Sequence, residues 1–259
     1  MILYANGCSW TWGGGLEPYF KFDNVIHDDQ RLKLVWPHHL GKYLKAKRVD
    51  NLALGAGSNQ RLVRTTYDYL ISKSKQELEE TVAVIQFSEW TRFERYIILD
   101  HNNYMENDPN RWVRCKVDTV LFEGSDYNIT DKDVIEEEFE DTKRRLSKIT
   151  RIENFYNTVA QLHALKSMFI SFGVKDFYFW HLGHGWIEFP LEMRLPLYKQ
   201  FNILDEVHDV NLCNWNLSHP DYWQYERLVP NSYVHPSLKG HEELAVRVLN
   251  KMFKKGFKL

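Results

Sequence analysis

The sequence predicts an α/β protein built on a mainly parallel sheet. Four short strands are predicted over residues 2–5, 48–52, 81–87 and 176–180. Residues 2–5 and 81–87 are apolar runs, and the second is typical of a strand covered on both faces. Segments with the spacing of amphipathic helices separate them. Strand-helix-strand connections repeat one direction, so we expect the loops that follow the strands to gather at one edge of the sheet.

Apolar residues at helical spacing predict helices over residues 36–44, 61–73, 152–172 and 242–253. Pro37 suits the first turn of the first helix, and Gly173 suits the end of the third. These helices are expected to pack on the sheet.

The length of 259 residues favours one domain with an insertion, because α/β domains of this size are often single. We predict a single domain over residues 1–259, with the insertion at about residues 95–148. There, Asn, Asp and scattered aromatic residues replace the periodic pattern. Charges spaced as on a solvated helix face predict a helix over residues 131–148.

Composition excludes several classes of partner. The net charge is −2 with both signs interspersed, which gives no basic surface for nucleic acid or an anionic membrane. The three cysteines are far apart, which favours free thiols in a reducing compartment. The apolar run at the N-terminus is too short for a signal peptide, and no segment approaches membrane-spanning length. We expect a cytoplasmic protein with a small-molecule substrate.

The end of the first predicted strand is the first candidate site. Asn6-Gly7 is a strong turn signal immediately before Cys8-Ser9. Ligands of open α/β sheets bind outside the carboxyl ends of the strands, where this turn would place the Ser9 hydroxyl. Ser9 is therefore a candidate nucleophile, although serine beside glycine is also common in ordinary turns.

A glycine-containing turn follows the second predicted strand. Gly55 and Gly57 precede Ser58-Asn59 and a predicted helix, so the backbone can approach a ligand closely. Such a turn can bind an anion, stabilise an oxyanion or simply pack tightly. The third glycine of a dinucleotide fingerprint is missing, which disfavours a nucleotide-binding function.

Histidines follow the fourth strand and precede the last helix. Glycines surround His181 and His184, which favours a substrate-contacting or packing role over a metal site. His235 precedes Pro236 and is therefore restricted to extended conformations. At the same sheet edge as Ser9, His235 has the chemistry of a general base.

Four ordered blocks resemble those of the SGNH (GDSL-like) hydrolases. They are Gly7-Cys8-Ser9, residues 51–59, residues 86–89, and His235-Pro236 with Gly240-His241. Their form is similar to that of uncharacterised bacteriophage-encoded members. The resemblance implies a three-layer α/β/α sandwich with a flavodoxin-like sheet, and ester hydrolysis without a cofactor. It also implies that Ser9 is the nucleophile and His235 the general base.

The resemblance further implies an oxyanion hole formed by Ser9, Gly55, Gly57, Asn59 and Ser88. Backbone amides of Ser9 and of the glycine turn would be its main donors.

Two positions depart from the family pattern. Ser88 stands where the family usually has an oxyanion-binding Asn, and Asn59 or Arg92 are alternative donors. Ser232 stands where an Asp usually orients the histidine. A backbone carbonyl, Asp221 or Glu226 are the alternatives for that role.

The function expected from these residues is an acyl or acetyl esterase, acting on a carbohydrate. Trp10, Trp90 and Arg92 are the candidate substrate-binding residues, with core packing as the alternative for each Trp. The competing hypothesis is a non-enzymatic carbohydrate-binding or virion-associated protein that retains a degenerate SGNH site. A phage-encoded chain would act in the host cytoplasm or on the virion.

Overall fold

The computed structural model describes residues 1–14, 16, 29–55, 57–88, 92–96, 112–116, 119–122, 140–141, 144, 148, 150–181, 190–204, 223–225, 234–236 and 238–258. The described elements, in chain order, are β1 (Ile2–Asn6), α1 (Ser9–Trp12), α2 (Asp29–Leu32), α3 (Trp36–Tyr43), β2 (Arg48–Asn51), α4 (Asn59–Ile71), α5 (Lys75–Glu79), β3 (Thr81–Phe87), β4 (Phe93–Tyr96), β5 (Trp112–Lys116), β6 (Thr119–Phe122), α6 (Arg151–Ser171), β7 (Asp176–His181), α7 (Leu191–Gln200), β8 (Trp223–Tyr225), β9 (Val234–Pro236) and α8 (Leu238–Lys254).

The central sheet is parallel and has the strand order β2-β1-β3-β7. Ile2 lies opposite both Arg48 and Thr81, so β1 is an interior strand. The chain moves from β1 outward to β2 and then returns across β1 to β3. Strand order therefore reverses between β1 and β3, and a crevice opens at such a switch point beyond the carboxyl ends of the strands.

Alternate residues of the strands point into two separate cores, which makes three layers. One core joins Leu3, Val84 and Trp180 to helices α3 and α8. The other joins Tyr4, Ile85 and Phe179 to α4, α6 and α7. The α/β/α sandwich with a mainly parallel sheet is confirmed.

Side-chain caps set where three helices begin. Ser58 accepts the Arg61 N–H at 3.1 Å and caps α4, which starts two residues earlier than its apolar spacing predicts. Ser74 and Thr150 begin α5 and α6 with capping boxes, in which a glutamate three residues on bonds back to the cap. Helix starts therefore depend on single hydroxyl groups as well as on periodicity.

Two smaller sheets lie outside the central one. Strands β4, β5 and β6 form an antiparallel sheet in the order β4-β5-β6, largely within the predicted insertion. Strands β8 and β9 pair antiparallel. Most of the predicted helix over 131–148 lies outside the described residues. We propose that residues 1–259 form a single domain with one insertion at about residues 95–148.

Candidate active site at the carboxyl edge of the sheet

Ser9 is the first residue of a one-turn helix beside the switch point. Cys8 has an extended backbone with φ −98° and ψ −158°, and its carbonyl accepts the N–H groups of Thr11 and Trp12 at 3.0 and 2.9 Å. The helix ends at Gly13, whose φ of 104° favours glycine. The sequence predicts a strand-to-loop corner here. The structure instead gives Ser9 a helical backbone and a partly exposed position.

His235 lies in β9, and the backbone of β9 lies against α1. His235 is opposite Gln224 of β8 in the antiparallel pair. The fold thus brings the element that carries His235 to the helix that begins at Ser9, although the two residues come from opposite ends of the sequence.

The turn that contains Gly55 and Gly57 packs against the turn after β1. Leu54 N donates to Gly7 O at 3.3 Å, and Gly57 N donates to Leu54 O at 3.0 Å. A Cβ atom at residue 57 would lie 3.0 Å from each of these two carbonyl oxygens, so close backbone packing favours glycine. The Gly57 N–H already has this acceptor, and its predicted donation to an oxyanion would compete with it.

Asn59 holds the backbone of Ser88 from both sides. Asn59 Oδ1 accepts the Ser88 N–H at 2.6 Å, and Asn59 Nδ2 donates to Ser88 O at 3.1 Å. Ser88 is only 6% exposed, and its hydroxyl has no hydrogen-bond partner among the described residues. Since a buried polar group without a partner costs free energy, a substrate oxygen at this hydroxyl would be stabilised.

A buried polar network fixes the end of β1 to α4. Asn6 Nδ2 donates to Tyr4 Oη at 3.0 Å and to Thr65 Oγ1 at 2.9 Å, and Asn6 Oδ1 accepts the Gly7 N–H at 2.9 Å. Burial raises the pKa of Tyr4 to about 12, so its phenol stays neutral near pH 7. In the sequence, Asn6 is explained by the Asn6-Gly7 turn signal alone. Its hydrogen bonds to Tyr4 and Thr65 were not predicted.

A partly buried ion pair joins α4 to β4. Arg64 Nε lies 2.9 Å from Glu94 Oε2, and Arg64 Nη2 lies 2.5 Å from Glu94 Oε1. Gln60 Oε1 accepts the Glu94 N–H at 2.8 Å. The sequence alone indicates no role for these residues.

The candidate substrate-binding residues have different positions. Trp10 is 7% exposed and packs in the core with α3 and α8, so the structure gives it the core-packing role and not that of a stacking surface for a sugar. Arg92 is partly buried and immediately precedes β4. Trp90 lies outside the described residues.

His181 ends β7 and is held against aromatic side chains. Its Nε2 lies 3.2 Å from Tyr198 Oη, and its ring centroid lies 5.4 Å from that of Phe87. Burial, and next the positive charge of Arg194, lower the pKa of His181 to about 3. His181 is therefore neutral near pH 7.

We predict that His181 makes the protein less stable in acid. Its folded pKa lies below the unfolded value of about 6.5, so the unfolded chain binds more protons and stability falls from pH 6.5 toward pH 3. At about 1.4 kcal/mol per pH unit, His181 removes roughly 2.5 kcal/mol of unfolding free energy between pH 6.5 and pH 4.5. Urea unfolding should show that the unfolding free energy of His181→Gln falls by that much less than the wild-type value between pH 6.5 and pH 4.5.

His163→Gln, which removes an imidazole from an exposed position, provides the control. Equal acid losses in wild type and His181→Gln would contradict the prediction.

The described ranges contain neither a membrane-spanning helix nor a metal-binding cluster. None of the helices there has both the length and the apolar character needed to cross a membrane. In the same part of the chain, no three or more His, Cys, Asp or Glu side chains are grouped so that they could bind a metal ion. His184 lies outside the described residues.

Comparisons with known proteins give a family and several similar folds. The model of a family of unknown function, DUF6071, matches residues 21–178, and no curated protein matches the chain. Among solved structures, the chain is similar to a protein assigned to the lipolytic G-D-S-L family from Desulfitobacterium hafniense, with 16% identity, coverage of 96% of this chain and 98% of that chain, and a TM-score of 0.45.

Two further structures have similar values. An alpha/beta hydrolase enzyme from the metagenome of Lake Arreo has 13% identity, coverage of 97% and 94%, and a TM-score of 0.45. Axe2, an acetylxylan esterase from Geobacillus stearothermophilus, has 14% identity, coverage of 99% and 94%, and a TM-score of 0.41. Each similarity extends over nearly the full length of both chains, and none of them assigns an activity to this protein.

Proposed function

Since the chain belongs to DUF6071, a family of unknown function, we propose an activity from the site itself: a serine-dependent ester hydrolase of the SGNH type. Ser9 is the nucleophile and His235 the general base. The observation that carries this proposal is that β9, with His235, lies against the helix that begins at Ser9, beside the switch point of a parallel sheet.

The proposed reaction has two halves. Ser9 Oγ attacks the ester carbonyl carbon while His235 takes the serine proton and then gives it to the leaving alkoxide. Water next attacks the acyl-enzyme, His235 accepts a proton from it, and the carboxylic acid leaves as Ser9 regains its proton.

Oxyanion stabilisation is proposed for the Ser9 amide, the Ser88 hydroxyl and the turn of Gly55 and Gly57. The buried Ser88 hydroxyl, without a partner among the described residues, supports its part in this set. Asn59 contributes by fixing the Ser88 backbone, since both ends of its amide contact that residue. One such donor is worth roughly 3 kcal/mol in other enzymes.

The group that orients His235 differs from that of the SGNH hydrolases. Ser232, Asp221 and Glu226 all lie outside the described residues. We propose that a backbone carbonyl or one of these two acids replaces the usual Asp. Loss of that acid lowers kcat by about 10⁴-fold in a serine protease, so slow turnover is expected.

The proposed substrate is a small acyl or acetyl ester of a carbohydrate. Arg92 and Trp90 support this proposal by their position in sequence, because both follow β3 at the candidate edge. From the form of the sequence blocks we also propose a bacteriophage-encoded protein that acts in the host cytoplasm or on the virion.

Covalent labelling with a fluorophosphonate tests the proposal directly, because it detects an activated serine even when turnover is slow. We expect intact mass and peptide mapping to find the probe on Ser9, and His235→Ala to abolish the labelling. His163→Ala, at an exposed histidine, is the matched control and should label normally.

The second candidate function is a non-enzymatic carbohydrate-binding or virion-associated protein. Ser88 and Ser232, in place of the usual Asn and Asp, favour it. Folded wild-type protein that takes no label at Ser9 would contradict the esterase proposal. Binding to glycans without hydrolysis would then support this second function.

A further inference from the structure

We propose that Gln86 and Thr11 are positioning residues that hold Ser9 in its reactive orientation. This inference rests on the proposed function of Ser9. Gln86 lies in β3 and is completely buried, and Thr11 is a completely buried residue of α1. Neither side chain can contact a substrate, so both would act through Ser9.

A chain of hydrogen bonds determines which way the Gln86 amide faces. Trp36 Nε1–H can only donate, and it donates to Thr11 Oγ1 at 3.3 Å. The Thr11 hydroxyl therefore directs its own proton elsewhere, and it donates to Gln86 Oε1. This places Gln86 Nε2 toward Cys8, where it donates to Sγ at 3.3 Å.

One amide group thus contacts the chain on both sides of Ser9. Cys8 immediately precedes Ser9, and Thr11 follows it by two positions. From the end of β2, Asn51 Nδ2 also donates to Thr11 O at 2.9 Å. A single helical turn is unstable by itself, so these contacts, together with the core packing of Trp10, orient α1.

The space around this arrangement is filled. A Cβ atom at Gly7 would lie 2.8 Å from Gln86 Oε1 and 2.9 Å from Gln86 Cβ, and it would also collide with Thr11 Oγ1. Buried polar groups whose partners are satisfied rigidify their surroundings. The helix that carries Ser9 therefore has little room to shift while the Gln86 contacts are intact.

The test compares three threonine variants. Thr11→Val keeps the shape of the side chain but removes the hydroxyl between Trp36 and Gln86, whereas Thr11→Ser keeps a hydroxyl. The matched control is Thr81→Val, because the buried Thr81 hydroxyl donates to Glu77 O at 2.7 Å at the opposite end of β3.

The measurements are the second-order rate of fluorophosphonate labelling at Ser9, urea unfolding, and amide hydrogen exchange of residues 7–14. Thr11→Val should label roughly 10²-fold more slowly, because displacement of a reacting group by about 1 Å costs that much. Exchange in residues 7–14 should become faster. Thr11→Ser should label close to the wild-type rate, and Thr81→Val should lose stability without a change in labelling.

Labelling of Thr11→Val at the wild-type rate would overturn the inference and leave the proposed role of Ser9 intact. An equal fall in the labelling rate of Thr11→Val and Thr81→Val would also overturn the inference, since it would show a merely structural effect. Absence of labelling in the wild type would refute the proposed function and this inference with it.

A second variant covers the case in which Thr11→Val does not fold. Cys8→Ala removes the sulfur that accepts from Gln86 Nε2 and should also slow labelling of Ser9. Unchanged labelling in Cys8→Ala would then contradict the inference.

Discussion

Ser9→Ala is expected to lower kcat for a small ester such as para-nitrophenyl acetate by about 10²-fold. Loss of the nucleophile costs about 10⁶-fold in a serine hydrolase with a complete triad, and about 10⁴-fold of that rate is already missing in a chain without the usual acid. Without Oγ no acyl-enzyme can form, and His235 has no serine proton to accept. The remaining rate would come from binding and oxyanion stabilisation alone.

The fold should survive this change. Ser9 O accepts the N–H groups of Gly13 and Gly14 at 2.8 and 2.7 Å, and alanine retains that carbonyl. We expect the free energy of unfolding in urea to change by no more than about 1 kcal/mol. Ser72→Ala removes a serine hydroxyl at the end of α4 and should leave kcat unchanged. Hydrolysis by Ser9→Ala at the wild-type kcat would exclude Ser9 as the nucleophile.

The sheet could be predicted from the sequence because its signals are local. Strand β3 occupies the predicted residues, and β1, β2 and β7 differ from their predicted bounds by one residue at the carboxyl end. In β1 and β3, which are buried along their whole length, apolar residues covered on both faces leave few alternatives to a strand. Because the strands are parallel, Ser9 and Ser88, which follow β1 and β3, lie at the same edge of the sheet.

Short elements escaped prediction because they contain too few residues for a periodic signal. Helix α1 has four residues and β9 has three. Helix α7 was also missed, since Pro196 lies inside it and proline is normally a helix breaker. The pairing of β9 with β8, which helps to place His235, is a consequence of tertiary structure.

Contacts that shape the candidate site join residues far apart in sequence. Thr11 and Gln86 are 75 positions apart, and Asn59 and Ser88 are 29 apart. Neither periodicity nor turn chemistry indicates which distant polar groups will meet. Block spacing could therefore suggest Ser9 and His235, but it could not reveal the buried amides that hold Ser9 and Ser88.

Arg64→Met is expected to lower the free energy of unfolding by about 3 kcal/mol, which urea unfolding would measure. The variant removes the two hydrogen bonds that Arg64 makes to the Glu94 carboxylate, whose side chain is 2% exposed. Breaking a buried ion pair costs roughly 3 to 5 kcal/mol because the remaining charge stays desolvated. The Arg64 side chain is 20% exposed, which favours the lower end of that range.

Two further variants separate this cause from ordinary loss of packing. Lys75→Met disrupts an exposed pair with Glu79, 3.7 Å apart, and should cost less than about 1 kcal/mol. Arg64→Met combined with Glu94→Gln removes the buried charge and should recover part of the lost stability. A loss in Arg64→Met no greater than in Lys75→Met would show that the pair does not hold β4 against α4. A loss near about 3 kcal/mol would instead show that the pair holds β4 against α4, the helix that begins at Asn59.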